Sequence, residues 1–322
     1  MSSPTPPASV SARRSALAFL LLASLLWLGL FLANKQLHYV HAGSDLIHHQ
    51  KSHVLPAKAL FPPSATYRVL AFGNSKTLSA FRPDVFDAHF KGRVASFNMG
   101  LPGDSQFVGL LEYAIRHGNK PTHILLQEPW RGASVEVERP WLIKDDKRIL
   151  DTLIPFRRLP RDLTLFVFQA RKSGLQAEWQ RVKAEVNGME GTRGWYFISA
   201  QSHYPNDALP DDFRLPTDTP DQTAPRKVEF AGAEYERLLS LAKTHGIQVL
   251  LVPHAVRDGQ AAPEADPGTQ VHATQPRVIT HGPTYWTLPP SNFSDPVHMN
   301  RIGSQRYTQR LAQYLDQLGE FH

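Results

Sequence analysis

Residues 67–75 read YRVLAFGNS, an apolar run that stops at a glycine and delivers a serine. A short apolar run with turn residues directly behind it is the pattern of a strand buried on both faces. Residues 93–98 (RVASFN, then Met99-Gly100), 123–128 (HILLQE) and 247–253 (IQVLLVP) repeat it. Helical periods lie between. Phe107, Leu110, Leu111, Ala114 and Ile115 share one face, with Asp104 to cap it and Gly118 and Pro121 to close it. Val228, Ala231, Tyr235, Leu238 and Ala242 share a second, within residues 228–245. Tyr307, Leu311, Tyr314, Leu315 and Leu318 share a third, starting near Gly303. Strands that alternate with helices predict an α/β domain with a parallel sheet.

Upstream, residues 16–33 (ALAFLLLASLLWLGLFLA) are broken only by Ser24 and Gly29. As a helix they span about 27 Å, close to a hydrocarbon core of about 30 Å. A cleaved signal peptide is the rival reading, but a cut after Ala33 puts Phe31 where a small residue belongs. An uncleaved transmembrane anchor is therefore expected. Arg13 and Arg14 against a lone Lys35 put the N-terminus in the cytoplasm and the rest outside the inner membrane. The expected organisation is a cytoplasmic tail (1–15), the anchor (16–33), a juxtamembrane stalk (34–66) and a domain over 67–322 with an insertion at about 131–227.

Composition narrows the chemistry. The chain has 322 residues, 42% of them hydrophobic, enough for a real core, and no cysteine. Disulfides, thiolate metal sites and a cysteine nucleophile are excluded. The net charge of +6 falls to +3 without Arg13, Arg14 and Lys35, and no basic block remains, which argues against a nucleic-acid partner. His38, His41, His48, His49 and His53 fall in the stalk. His49 and His53 are spaced for one helical face, but no carboxylates stand at motif spacing, so neither metal nor cofactor is called for. Residues 201–227 and 257–277 read as long loops, either lids or mobile surface, and Arg161 to Asn187 as helix.

In an open α/β sheet, ligands gather beyond the carboxyl ends of the strands. There the sequence places Ser75, Gly100, Gln127 with Glu128, and His254, and just before the last helix Phe293-Ser294-Asp295-Pro296-Val297-His298. A serine on a sharp turn is a nucleophile if a base reaches it. His298 suits that role, since imidazole titrates near neutrality, and Asp295 three residues earlier can orient it. Gly73 permits the turn, and Gly100 would let a backbone N–H approach a developing oxyanion. A non-catalytic reading of each residue taken singly stays open: a turn serine, a helix-start histidine, a loop acid. Threonine at 77 breaks the G-x-S-x-G elbow, and Ser75 before Lys76 breaks the phosphate loop.

The blocks FGNSKT (Ser75), FNMG (Gly100) and FSDPVHMNRIG (Asp295, His298) resemble those of the SGNH (GDSL-like) hydrolase superfamily. The likeness covers residues 67–130 and 228–320 and leaves the insertion unaccounted for. It implies a flavodoxin-like three-layer parallel sheet with Ser75, Asp295 and His298 catalytic and Gly100 in an oxyanion hole. Asn74 replaces the family's usual aspartate, and Gln127 stands where an asparagine donor is normal, next to a repelling Glu128. With the N-terminal anchor, the chain is similar to membrane-bound proteins that O-acylate surface polymers, of the alginate-acetylation and teichoic-acid D-alanylation type. That implies acyl transfer, with acetyl the expected group, to a cell-envelope or extracellular polysaccharide, or ester hydrolysis on it, with a multi-span membrane acyltransferase as partner. Asn74, Trp130 and Arg131 are then the substrate-binding candidates, the last two placed to line a sugar subsite, with simple core or edge packing as the other reading of Trp130. The alternative is a non-catalytic scaffold that binds a polymer or the membrane acyltransferase.

Overall fold

The computed structural model describes residues 8–37, 40, 44–57, 59–102, 107–127, 154, 156–197, 204–215 and 233–322. In chain order these form α1 (Ala8–Gln36), α2 (Ser44–Ala57), β1 (Tyr67–Phe72), α3 (Ser75–Ala80), α4 (Pro83–His89), β2 (Val94–Asn98), α5 (Phe107–Arg116) and β3 (His123–Leu126). After β3 come α6 (Leu159–Ala170), α7 (Leu175–Gly191), α8 (Ala233–His245), β4 (Gln248–Leu251) and β5 (His254–Arg257). The chain ends with β6 (Thr269–Thr274), β7 (Arg277–His281), β8 (Tyr285–Leu288) and α9 (Arg301–Gln317). The expected helix over 161–187 is thus two helices, broken where Gly174 takes a positive φ of 89°. Asp104, Val228 and Ala231 lie outside the described residues, as do residues 131–153 and 216–227.

Two compact units result: Met1–Leu46 with Arg139–Val182, and Ile47–Glu138 with Lys183–His322. In the first, Ala12–Asn34 is a 23-residue apolar stretch of α1, long enough to cross a membrane. A membrane anchor and a signal sequence both satisfy that test.

The second unit is α/β with a mostly parallel central sheet in the order β2-β1-β3-β4-β7-β6. The first five strands run parallel and β6 pairs antiparallel with β7 at the edge. Alternate strand residues feed opposite faces, as a period of two requires. Leu70, Phe72, Ile124, Leu126, Val249 and Leu251 pack with Val108, Leu111 and Ala114 of α5 and Leu238 and Ala242 of α8. Val69, Ala71, Leu125, Leu250 and Ile279 pack with Phe86 and Phe90 of α4 and with Tyr307, Leu311 and Leu315 of α9. A two-stranded parallel ribbon, β5 with β8, completes the unit.

The stretch expected as a stalk differs from that expectation. Val54 and Leu55 of α2, and Leu60, Phe61 and Ala65 after it, belong to the core on the α5–α8 face, so this stretch packs against the α/β core rather than standing off as a stalk. Residues 257–277, expected as loop, contain β6, whose side chains are almost all exposed and so carry no apolar alternation.

Candidate functional site

The strand-to-helix turn after β1 places Ser75 at the first position of α3. Asn74 caps that helix: its backbone is extended and its Oδ1 accepts the Lys76 N–H at 2.8 Å. The other half of the site is the tight loop before α9. Ser294 N–H closes it onto the His298 carbonyl at 2.9 Å. Asn300 caps α9, with Oδ1 accepting Gly303 N–H at 2.8 Å and Nδ2 donating to Ser291 O at 2.8 Å and Asp207 O at 3.1 Å. Gly303 is glycine for a steric reason, since a Cβ there would meet Asn292 O at 2.0 Å.

The loop aims its carboxylate. Asp295 Oδ1 accepts the N–H groups of Val297 and His298, each at 2.8 Å, which leaves Oδ2 for His298 Nδ1 at 2.7 Å. His298 Nε2 then meets Ser75 Oγ at 2.9 Å. Asp295 and His298 are 9% and 8% exposed, so bulk water barely competes for these bonds. Burial by itself would raise the Asp295 carboxyl, but the hydrogen bond and charge of His298 and the two backbone N–H groups outweigh it. The carboxyl sits below its ordinary value and remains an anion. With Nδ1–H donating to that anion, Nε2 offers its lone pair to the Ser75 hydroxyl. The geometry is that of a nucleophile, a base and an orienting acid.

The neighbouring candidates are differently disposed. The Ser75 N–H, at the first helical position, has no intrahelical acceptor to occupy it. Gly100 N–H already donates to Asn98 Oδ1 at 2.8 Å, and its backbone lies so close to α3 that a Cβ would stand 2.7 Å from Leu78 N. Gln127 is buried and its Nε2 donates to Tyr307 Oη at 3.0 Å, which in turn donates to Pro253 O. His254 is buried in β5 against the Tyr285 ring, and burial, then the charge of Lys76, pushes it down to about 3. It is therefore neutral, and its Nδ1 has no partner among the described residues. Glu128, Trp130 and Arg131 lie outside the described residues.

Two side chains that the motif reading passes over hold this end of the sheet together. Asn98, fully buried at the end of β2, donates to the carbonyls of Thr77 (2.9 Å), Leu78 (3.2 Å) and Phe81 (2.7 Å). It thereby pins the helix that carries Ser75. Lys51 of α2, 1% exposed, donates to Asn98 O and, at 2.8 Å, to Gly194 O. Trp195 Nε1 donates to Ser79 O at 2.7 Å and Tyr196 N–H to Leu78 O at 3.2 Å, clasping α3 from its other side. Asparagine directly before Met99-Gly100 is the one local hint in the sequence. Nothing in the spacing of Lys51 announces its role.

Comparison with protein-family models, with curated proteins and with solved structures gives no match to this chain.

Proposed function

We propose that this chain is a serine-dependent acyltransferase or esterase of the SGNH type that acts on a cell-envelope or extracellular polysaccharide. The observation that carries the reading is the unbroken relay Ser75 Oγ–His298 Nε2, His298 Nδ1–Asp295 Oδ2, at 2.9 and 2.7 Å. Ser75 Oγ attacks the ester carbonyl as its proton passes to His298 Nε2, and Asp295 stabilises the imidazolium. The carbonyl oxygen becomes an anion facing the Ser75 N–H. When the ester C–O bond breaks, His298 returns the proton to the leaving alkoxide, and the acyl group remains on Ser75. A sugar hydroxyl or water then gives its proton to His298, attacks the acyl-serine and releases Ser75.

The polymer acceptor, the acyl group and a multi-span membrane partner come from the resemblance in the sequence blocks, and the apolar α1 supports anchoring with the α/β unit outside the cytoplasmic membrane. The hole is the step that separates a fast esterase from a slow one. Gly100 N–H reaches an oxyanion only by sharing or leaving Asn98 Oδ1, and loss of one such donor costs on the order of 100-fold in rate. The same engagement of Gly100 and Gln127 favours the second reading, a scaffold that binds polymer without turning it over.

The test uses the full chain in detergent with a fluorophosphonate probe and p-nitrophenyl acetate, wild type against Ser75→Ala. Probe attached to Ser75, and turnover lost in the variant, are expected. Equal background rates with no adduct would sink the enzyme reading and leave the scaffold. Oligosaccharide acceptors added to an active preparation divide transfer from hydrolysis.

A further inference from the structure

We infer that α6 is a second membrane contact, lying in the plane of the bilayer interface beside the span formed by α1. Its sequence, LPRDLTLFVFQA, carries apolar residues well beyond its buried stripe, with Arg161, Thr164 and Gln169 between them. Leu159, Asp162, Phe166 and Ala170 form its buried stripe. Outside that stripe Leu163, Leu165, Val167 and Phe168 are 41, 42, 50 and 57% exposed. Four large apolar side chains exposed on one twelve-residue helix mark a contact surface rather than a face turned to water. The only acid in α6, Asp162, is buried and paired with Arg161, so the outer face carries no negative charge.

Continuity and charge identify the occupant as lipid. Phe156, just ahead of α6, meets the Trp27 ring edge-on at 5.9 Å in the same compact unit. Trp27 stands seven residues inside the end of the apolar stretch at Asn34, about 10 Å along the helix. The chain just ahead of α6 thus packs on the apolar stretch of α1. Arg157 and Arg158 precede the helix, and Arg171 and Lys172 follow it, Arg171 lying over the Phe168 ring at 4.0 Å. Basic residues that flank an apolar face suit anionic headgroups above acyl chains. Twelve residues make about 18 Å, too short to cross, so the helix lies along the surface.

The chain has no cysteine, so single-cysteine variants report cleanly. Leu163→Cys, Val167→Cys and Phe168→Cys are made in the full chain, spin-labelled and reconstituted into phosphatidylethanolamine–phosphatidylglycerol vesicles. Leu21→Cys in α1 serves as the lipid reference and Val271→Cys on the exposed β6 as the aqueous one. Relaxation by oxygen is compared with relaxation by a water-soluble nickel chelate. The α6 labels are expected to follow Leu21, favouring oxygen, with the order reversed at Val271. Three separate positions guard against one variant that misfolds. Nickel access at all three, equal to Val271 while Leu21 stays lipid-exposed, would overturn the contact and assign the patch to a protein absent from the vesicles. Aqueous behaviour at Leu21 as well would overturn the span and the α6 contact together.

Discussion

Truncating Asn98 to alanine tests how the helix that carries Ser75 is supported. Asn98 makes four side-chain hydrogen bonds, to the carbonyls of Thr77, Leu78 and Phe81 and from the N–H of Gly100. They are not equally vulnerable. Thr77 O also accepts the Phe81 N–H at 3.1 Å, and Leu78 O the Tyr196 N–H at 3.2 Å, so these carbonyls keep a donor in the variant. Phe81 O and Gly100 N–H have no other partner among the described residues. Leaving a buried polar group without a partner costs about 1–3 kcal/mol, so two of them cost about 4 kcal/mol. That is a large part of the 5–15 kcal/mol typical of a domain.

The assay is denaturant unfolding of the full chain in detergent, with the rate of fluorophosphonate labelling of Ser75 measured under conditions where the variant is folded. A shift of this size is expected, together with labelling slowed on the order of 10- to 100-fold, since misplacing a reacting atom by an ångström has effects of that order. Asn98→Asp keeps the acceptor for Gly100 but loses the donors and buries a charge, and should do no better. A stability loss below about 1 kcal/mol with unchanged labelling would refute the reasoning, because it would mean that α3 is held without Asn98.

Asp295→Asn keeps an oxygen for the Val297 and His298 N–H groups but turns an NH2 toward His298 Nδ1, forcing the wrong tautomer. Labelling of Ser75 should fall about 10³–10⁴-fold while the melting temperature moves little. Gly303→Ala ought to stabilise a helix by about 1 kcal/mol on propensity. The 2.0 Å approach to Asn292 O reverses the sign, and a loss of about 3 kcal/mol is expected in the same unfolding assay. Glu320 is buried. Burial alone would raise its carboxyl, but hydrogen bonds from His281 and Arg277 and their charge bring it from 4.5 to about 2. A folded-state value below the unfolded one gives stability that is present above pH 4.5 and lost as the pH falls toward 2. Its size is about 3 kcal/mol. Glu320→Gln should flatten stability across that window, and an unaltered acid transition would exclude the pair as its source.

What the sequence made legible follows from burial. β1, β3 and β4 lie inside the sheet and β2, at its edge, is buried along its whole length, so their apolar runs need no alternation and stand out against the helices between them. β6 sits at the edge with polar side chains outward, and β5 (HAVR) and β8 (YWTL) mix polar and charged residues into four positions, leaving no apolar run to read. Ser75, Asp295 and His298 were readable because turn residues and strand ends mark where side chains converge. Hydrogen bonds to backbone carbonyls leave no such mark. Any donor of suitable reach can satisfy Asn98 O or Phe81 O, so Lys51 and Asn98 carry no spacing that a reader can find. Helix α2 was hidden for a related reason: its apolar positions are few among histidines and lysine, and only the core they meet reveals their role.

The support of Ser75 is therefore tertiary rather than local. Six residues cannot hold a helix by themselves, since nucleation is unfavourable and α3 closes few of its own hydrogen bonds. Its order comes from Asn98 beneath it, from Trp195 and Tyr196 beside it, and from Leu78 buried against Ile47 and Met189. Lys51 joins these supports, because a single buried ammonium group bonds both the strand end at Asn98 and the turn at Gly194. Burial lowers the Lys51 pKa well below its ordinary value, yet an amine donates to carbonyls whether or not it carries the extra proton. The link is thus insensitive to the charge state that burial penalises. It runs from Lys51, some fifteen residues along the chain from the end of α1, to the helix that begins with Ser75. Ile47 to Leu55, ahead of the sheet, and Met189 to Tyr196, within the 131–227 segment, must both be in place before the serine is.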